Sequence, residues 1–256
     1  TITENIYKKI VNKVVSVSSI ETAEFTKVFE NTYRSVNIAL VNEMKLLAKK
    51  KKLNINEIIK AADTKPFGFQ AFQPGPGVGG PCLPVNSYQM LNSAKQFNNE
   101  LLSLVKIGRE INENMPNYVI ELIISGLKEA NKQISDSTIL LLGISYKPEV
   151  KDIQISPAEI VIKKLKELGA KIKIYDPFFK SMNVFEIQTE NNFEQALSNV
   201  DSVVLLTAHK EFNNLKPSFI ASKIEMPVIV DTKRIFDIDD AKKSKLIFRS
   251  LGSGNF

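Results

Sequence analysis

The feature that most constrains the fold is a change of hydrophobic period near Ser137, after which Thr138 to Gly143 (TILLLG) forms a continuous apolar run. A strand-sized run without polar alternation fits a strand covered on both faces, as in a parallel sheet flanked by helices. A helical pattern from Ser156 to Leu168 leads to a second strand, Lys171 to Tyr175, ending in Asp176, which predicts a βαβ unit with a right-handed crossover. The alternation continues with a helix near Phe193 to Ser198, a strand from Ser202 to Thr207, helices near Pro217, a strand from Val228 to Val230 and a last strand near Leu246 to Phe248. The C-terminal half is therefore expected to be a doubly wound, Rossmann-like α/β domain.

The first half follows a different rule. Residues 13 to 19 (KVVSVSS) suggest a short strand, and from Glu21 to about Lys51 the period is that of a helix, with Ala23, Val28, Tyr33, Ile38, Leu40, Met44 and Leu47 as its expected buried side. A shorter helix is expected from a cap at Asn56 to about Ala62. Lys65 to Pro84 is a Gly/Pro-dense loop, too long for a simple connection and so expected to be functional. Residues 86 to 132 return to helical periodicity, with a break or kink expected at Met115-Pro116. The resulting class is α/β, a helical domain followed by the doubly wound one, with their boundary between about 112 and 136.

Composition narrows the chemistry. The 256 residues carry Lys+Arg 34 against Asp+Glu 28, a net charge of +6, which suits an anionic ligand such as a nucleotide as well as it suits nucleic acid. Part of the excess is the run Lys49 to Lys52, which ends a helical pattern where cations meet the negative end of the dipole. One cysteine excludes an internal disulfide and a multi-cysteine metal site, one histidine excludes a histidine-rich one, and the apolar runs are too short to span a membrane. Thr1 is not an initiating methionine and no secretory leader precedes it, so the chain is expected to be a fragment of a cytoplasmic protein.

Gly75-Pro76-Gly77-Val78-Gly79-Gly80 satisfies the text of the dinucleotide pattern G-x-G-x-x-G, but no strand precedes it and Pro81 to Pro84 follow it. It is better taken as opened backbone, able to approach a ligand, leading into Cys82. A lone cysteine is by default a small buried apolar residue; one held between two prolines beside glycines is also a candidate nucleophile. Lys27, Asn31 and Arg34 share a helix face that can either hold an oxyanion and a phosphorylated sugar or simply face solvent. Gly143 to Pro148 (GISYKP) and Asp231 to Arg234 (DTKR) both follow strands, placing Lys147, Lys233 and Arg234 at the sheet edge where open α/β sheets bind ligands. His209 has no evident acid or metal partner in the sequence and is expected to be structural.

Taken together, AEFTKVFENTYRSVNIALVNE (23 to 43), KPFGFQAFQPGPGVGGPCLP (65 to 84), GISYKPEVKDIQISP (143 to 157) and VDTKR (230 to 234) resemble the UDP-glucose/GDP-mannose dehydrogenase family, especially the branch acting on UDP-N-acetylhexosamines. The resemblance implies three parts: residues 1 to 20 as the remnant of an NAD-binding domain, 21 to 115 as a helical central domain that forms a homodimer, and 116 to 256 as a UDP-binding domain. It implies two NAD-dependent oxidations of a sugar CH2OH to a carboxylate, with NAD held mainly by the absent domain and no metal, nucleic acid or membrane involved. Lys27 and Asn31 would steady the developing alkoxide, and Cys82 would capture the aldehyde as a thiohemiacetal that becomes a thioester. Arg34, Phe72, Gly77, Gly79, Gly80, Lys147, Lys233 and Arg234 would contact the sugar nucleotide.

Three positions depart from the family pattern. Asn86 stands where an aspartate is usual, so water can be oriented but a proton is poorly accepted. Gln154 replaces an arginine near the cofactor, and Lys233, beside Arg234, replaces another, a point charge for a bidentate fork. Two further functions therefore stand beside the dehydrogenase: a sugar-nucleotide-binding homologue that has lost oxidation, and a dimerisation module with a vestigial pocket.

Overall fold

The structure, a computed structural model, describes residues 2–97, 101–225 and 227–252. The helical half opens with α1 (Ile2–Tyr7), and residues 13–17 belong to no helix or strand. The strand expected at residues 13 to 19 does not form, because among the described residues no neighbouring strand is present to take its backbone hydrogen bonds. Ser19 then caps α2 (Ile20–Lys50), its side chain accepting from the Thr22 N–H at 3.1 Å. Helix α3 (Ile55–Ala62) is capped by Asn54 rather than Asn56. The long loop runs into α4 (Leu83–Lys95), which has Pro84 in its first turn, where a missing N–H costs nothing.

Helix α5 (Ser103–Glu129) runs unbroken through Pro116. The break expected at Met115-Pro116 does not occur; α4 ends at Lys95, and α5 begins after Leu102, whose φ is 63°. What changes at Met115 is the partner. Val105, Gly108, Arg109 and Asn112 are buried in the helical half, with Gly108 seated on Val36 and Ala39 of α2, whereas Met115, Val119, Ile123 and Leu127 belong to the core beneath the sheet.

The second half comprises β1 (Thr138–Leu142), α6 (Pro157–Glu167), β2 (Lys171–Tyr175), a small hairpin of β3 (Asn183–Val184) and β4 (Ile187–Gln188), α7 (Phe193–Ala196), β5 (Ser202–Leu205), α8 (Pro217–Lys223), β6 (Val228–Asp231), α9 (Ile238–Lys243) and β7 (Ile247–Ser250). The main sheet is wholly parallel in the order β2-β1-β5-β6-β7. Alternation along the strands splits the core in two. Ile139, Leu141, Val204, Val228 and Val230 pack with α5 and α6 on one face, while Leu140, Leu142, Val203, Leu205 and Ile229 pack with α7, α8 and α9 on the other. The chain leaves β1 toward β2 on one side and β5 lies on the other, so the loops after β1 and β5 meet at the topological switch point, where ligands of such sheets bind.

The expected inner stripe of α2 is its outer one. Ala23, Tyr33, Leu40, Met44 and Leu47 are exposed and Val28 and Ile38 only half-buried, whereas Asn31, Thr32, Ser35, Ala39, Val41, Asn42, Lys45 and Ala48 are buried. Small residues face inward because α4 and α5 approach closely, as the contact of Gly108 with Ala39 shows.

Candidate active site

Cys82 is exposed at the N-cap of α4, with no side chain capping that end, and its carbonyl accepts the first helical bond from the Asn86 N–H at 2.9 Å. The thiol thus sits at the positive end of a 13-residue helix. Asn86, one turn on, accepts from Asn31 Nδ2 at 2.6 Å and donates to Gln89 Oε1 at 2.7 Å. This bond ties α2 to α4 beside the thiol. Lys27, one turn before Asn31, is exposed and lies 3.6 Å from the Glu30 carboxylate, and Arg34 is exposed on the same helix. Phe72 is not part of this group. It lies against Tyr33, 6.1 Å between ring centres, and packs on Val41, Ala48, Ile55 and Ile59.

The glycine segment before Cys82 meets its own chain. The Gly75 N–H donates to Asn42 Oδ1 at 3.0 Å, Asn42 Nδ2 to Asn112 Oδ1 at 3.0 Å and Asn112 Nδ2 to the Ser35 carbonyl at 2.9 Å. A Cβ on Gly77 would lie 3.0 Å from Pro157 and 3.5 Å from the Asn112 carbonyl, which Pro116 leaves without its helical donor. One on Gly79 would lie 2.5 Å from the Ile155 carbonyl, and one on Gly80, at φ 84°, would lie 2.6 Å from the Tyr146 ring. The Gly80 N–H donates to the Gln154 carbonyl at 3.0 Å. The close approach expected toward a ligand is therefore, on these faces, an approach to the loop between β1 and α6. Gln154 contributes backbone to this seam while its side chain is exposed.

Both cationic loops flank the seam. Lys147 is exposed next to Tyr146, its Nζ 5.6 Å from that ring. Lys233 Nζ lies 3.5 Å from where a Gly75 Cβ would be. Burial pulls the Lys233 ammonium down to about 8 against the opposing pull of Asp231. Asp231, at the end of β6, accepts from the N–H groups of Lys233 (2.8 Å), Arg234 (2.6 Å) and Phe236 (3.0 Å), which folds the loop and holds Arg234 at φ 57°. Arg234 is half-buried with its Nε unpaired, and burial lowers its pKa.

His209 has an acid partner after all. It is fully buried, with Nε2 3.1 Å from Asp176 Oδ2 and Nδ1 accepting from the Glu149 N–H at 3.1 Å. Burial pushes the Asp176 carboxyl up, but hydrogen bonds from His209, Ile144 and Phe178 hold it below its ordinary value. Asp176, Asn42, Asn112 and Tyr146 were not singled out from the sequence. The available signal was an aspartate immediately after a strand, as at both Asp176 and Asp231, where the following loop's N–H groups need acceptors.

Among the described residues no group of three or more His, Cys, Asp or Glu can hold a metal, and no helix is long and apolar enough to cross a membrane. A nicotinamide dinucleotide does not fit the glycines present: Gly77, Gly79 and Gly80 are filled by Pro157, Ile155 and Tyr146, and a Cβ on Gly143 would lie 2.3 Å from the Thr207 carbonyl.

UDP-N-acetyl-D-mannosamine dehydrogenase of Pyrococcus horikoshii is 33% identical over 252 residues, 98% of this chain and 57% of the relative. The enzyme of that name from Campylobacter jejuni is 35% identical over 227 residues, 85% of this chain and 52% of the relative. The solved Pyrococcus horikoshii structure superimposes with a TM-score of 0.89 at 32% identity, covering 100% of this chain and 57% of that one. The chain thus spans little more than half the length of these relatives. Residues 21–114 match the central domain of the UDP-glucose/GDP-mannose dehydrogenase family and residues 140–238 its UDP-binding domain. The chain belongs to that family, of which it carries the central and UDP-binding domains.

Proposed function

We propose that this chain binds a UDP-N-acetylhexosamine across the seam between its two halves and supplies the thiol for oxidation of the sugar C6 to a uronate. The single observation that carries this is the delivery of Cys82 to the N-terminus of α4 by a glycine segment docked between Lys147 and Lys233. Lys147, Lys233 and Arg234 would neutralise the diphosphate, with Lys27 and Asn31 facing the sugar oxygen. The Cys82 thiolate would add to the aldehyde carbon to give a thiohemiacetal, and water oriented by Asn86 would later release the acid from the thioester. NAD is the hydride acceptor that the family implies; since the described glycines form no cradle for it, only binding, capture and release are assigned to these residues. The manno-configured sugar named for the relatives is the first to assay, and the exposed side of α2 would be covered by a second copy in a cytoplasmic homodimer.

Titration calorimetry with UDP and with NAD separately tests this. Binding of UDP but not NAD is expected, weakened on the order of tenfold or more in Lys233→Ala, since a charge-assisted bond to phosphate is worth about 1.5–3 kcal/mol. The sugar nucleotide should also slow alkylation of Cys82, the chain's single thiol. Equal alkylation rates with and without it, or no heat with UDP, would overturn the assignment. The competing non-oxidising binder would bind UDP yet leave Cys82 alkylated at an unchanged rate.

A further inference from the structure

The loop that bears Lys147 is held at both ends by one buried pair. At its start, Asp176 Oδ2 accepts from the Ile144 N–H at 2.7 Å and the Ser145 N–H at 3.3 Å, and Thr207 Oγ1 donates to the Ser145 carbonyl at 2.5 Å. At its end, His209 Nδ1 accepts from the Glu149 N–H, and the Glu149 carboxylate accepts from the Lys210 N–H at 2.8 Å. An acceptor role for Nδ1 fixes the imidazole as neutral there, with its proton on Nε2 donated to Asp176. The ring is gripped by Phe178 and Phe212, with centres 5.0 and 5.9 Å away.

Glu149 has φ 61°, a left-handed backbone that is strained for a non-glycine residue and persists only where its surroundings enforce it. The enforcing contacts are the two from His209 and Lys210. Between the pinned ends stand Tyr146, whose ring fills the space beside Gly80, and Lys147.

We propose that His209 is a positioning residue for sugar-nucleotide binding: through the Glu149 N–H it fixes the far end of the 144–149 loop, and so the places of Lys147 and of the Tyr146 wall behind the cysteine segment. This rests on UDP binding at that edge. A histidine serving only as core filling would owe nothing to which of its two nitrogens is satisfied.

That difference supplies the test, in the full chain. His209→Asn places an amide oxygen near Nδ1, keeping an acceptor for Glu149 and losing Asp176. His209→Gln places an amide N–H near Nε2, keeping Asp176 and losing the Glu149 acceptor. Both shrink the same buried ring, so both should lower the melting temperature. Only His209→Gln should speed hydrogen exchange at the Glu149 amide and weaken UDP binding, on the order of five- to tenfold for one lost bond. His209→Asn should stay within about twofold of the parent in both measurements. Equal UDP affinities in the two variants, or equal losses, would overturn the proposal. If neither variant folds, the parent decides: its Glu149 amide should exchange as slowly as those of β1, and rapid exchange would refute the clamp. Failure of the parent to bind UDP would instead refute the function on which the proposal rests.

Discussion

The two halves of the molecule bury opposite kinds of surface. In the sheet half, β1, β5 and β6 place Ile139 to Leu142, Val203 to Leu205 and Val228 to Val230 wholly out of solvent, covered on both faces. In the helical half, α2 buries two asparagines, a threonine, a serine and a lysine, and leaves Phe25 59% and Phe29 58% exposed. The exposed side chains continue into Tyr33, Leu40 and Met44, which with Ile58, Phe69 and Phe72 line a cavity of about 320 Å³. A sheet sandwiched by its own helices is complete in one chain. A long helix whose apolar stripe points away from its neighbours is not, and its stability should depend on what covers it.

The sharpest way to break this comparison is to truncate a leucine in each half. Leu141→Ala opens a cavity under a closed core and should cost about 2–5 kcal/mol in urea unfolding, independent of protein concentration. Leu40→Ala should cost less than about 0.5 kcal/mol when the chain is dilute, with a larger, concentration-dependent loss if a second copy covers α2. Equal, concentration-independent losses would mean that the helical half is as self-sufficient as the sheet.

A smaller effect separates two glycines of one loop. Gly68 (φ 73°) has nothing within 4 Å of a would-be Cβ, so Gly68→Ala should cost only the left-handed backbone penalty, about 1 kcal/mol. Gly80 (φ 84°) carries that penalty and faces the Tyr146 ring, so Gly80→Ala should cost about 2–3 kcal/mol and loosen the seam between the halves. Matching melting temperatures for the two variants would show that the segment is not docked on the sheet half.

The same contrast explains what could be read from the residues alone. The strands were legible because a continuous apolar run has one environment that suits it, and the ends of β1 and β2 fall within a residue of their expected places. The existence of α2 was legible too, but not which of its sides faces inward: periodicity reports a stripe and is silent on its cover. Pro116 misled because a proline mid-helix removes one bond, and here the freed Asn112 carbonyl lies at the seam while neighbouring packing keeps the helix going. Cys82 and the cations after β1 and β6 were legible as residue types in suggestive places. The pairing of Asp176 with His209 was not, since 33 residues separate them and only the parallel order of β2, β1 and β5 brings them together.

Lys45 offers the finest test. It is fully buried between α2 and α5, its Nζ without a hydrogen-bond acceptor and 3.4 Å from the centre of the Tyr118 ring. Burial, reinforced by Lys49 and only partly opposed by Glu121, pulls its pKa down to about 6 from the 10.5 of a free lysine. Between those values the unfolded chain binds one proton more than the folded one, so stability should rise with pH across that interval and level off below it. Lys45→Met keeps the stem and removes the amine. At pH 7 it should stabilise the chain by about 1–2 kcal/mol, the relief of burying the amine outweighing the lost contact with the ring. That advantage should fall by about 1.4 kcal/mol per pH unit, because the folded parent is spared a proton that its unfolded chain still binds, and so reverse in sign by about pH 8.5. Urea denaturation of both proteins at pH 6.5, 8 and 9.5 measures it. A variant less stable than the parent at pH 7, with a difference that does not change with pH, would mean that the amine is charged in the folded state and held by the ring. The helical half would then hide a paid-up cation, and its buried polar side would be as firmly fixed as the sheet's apolar one.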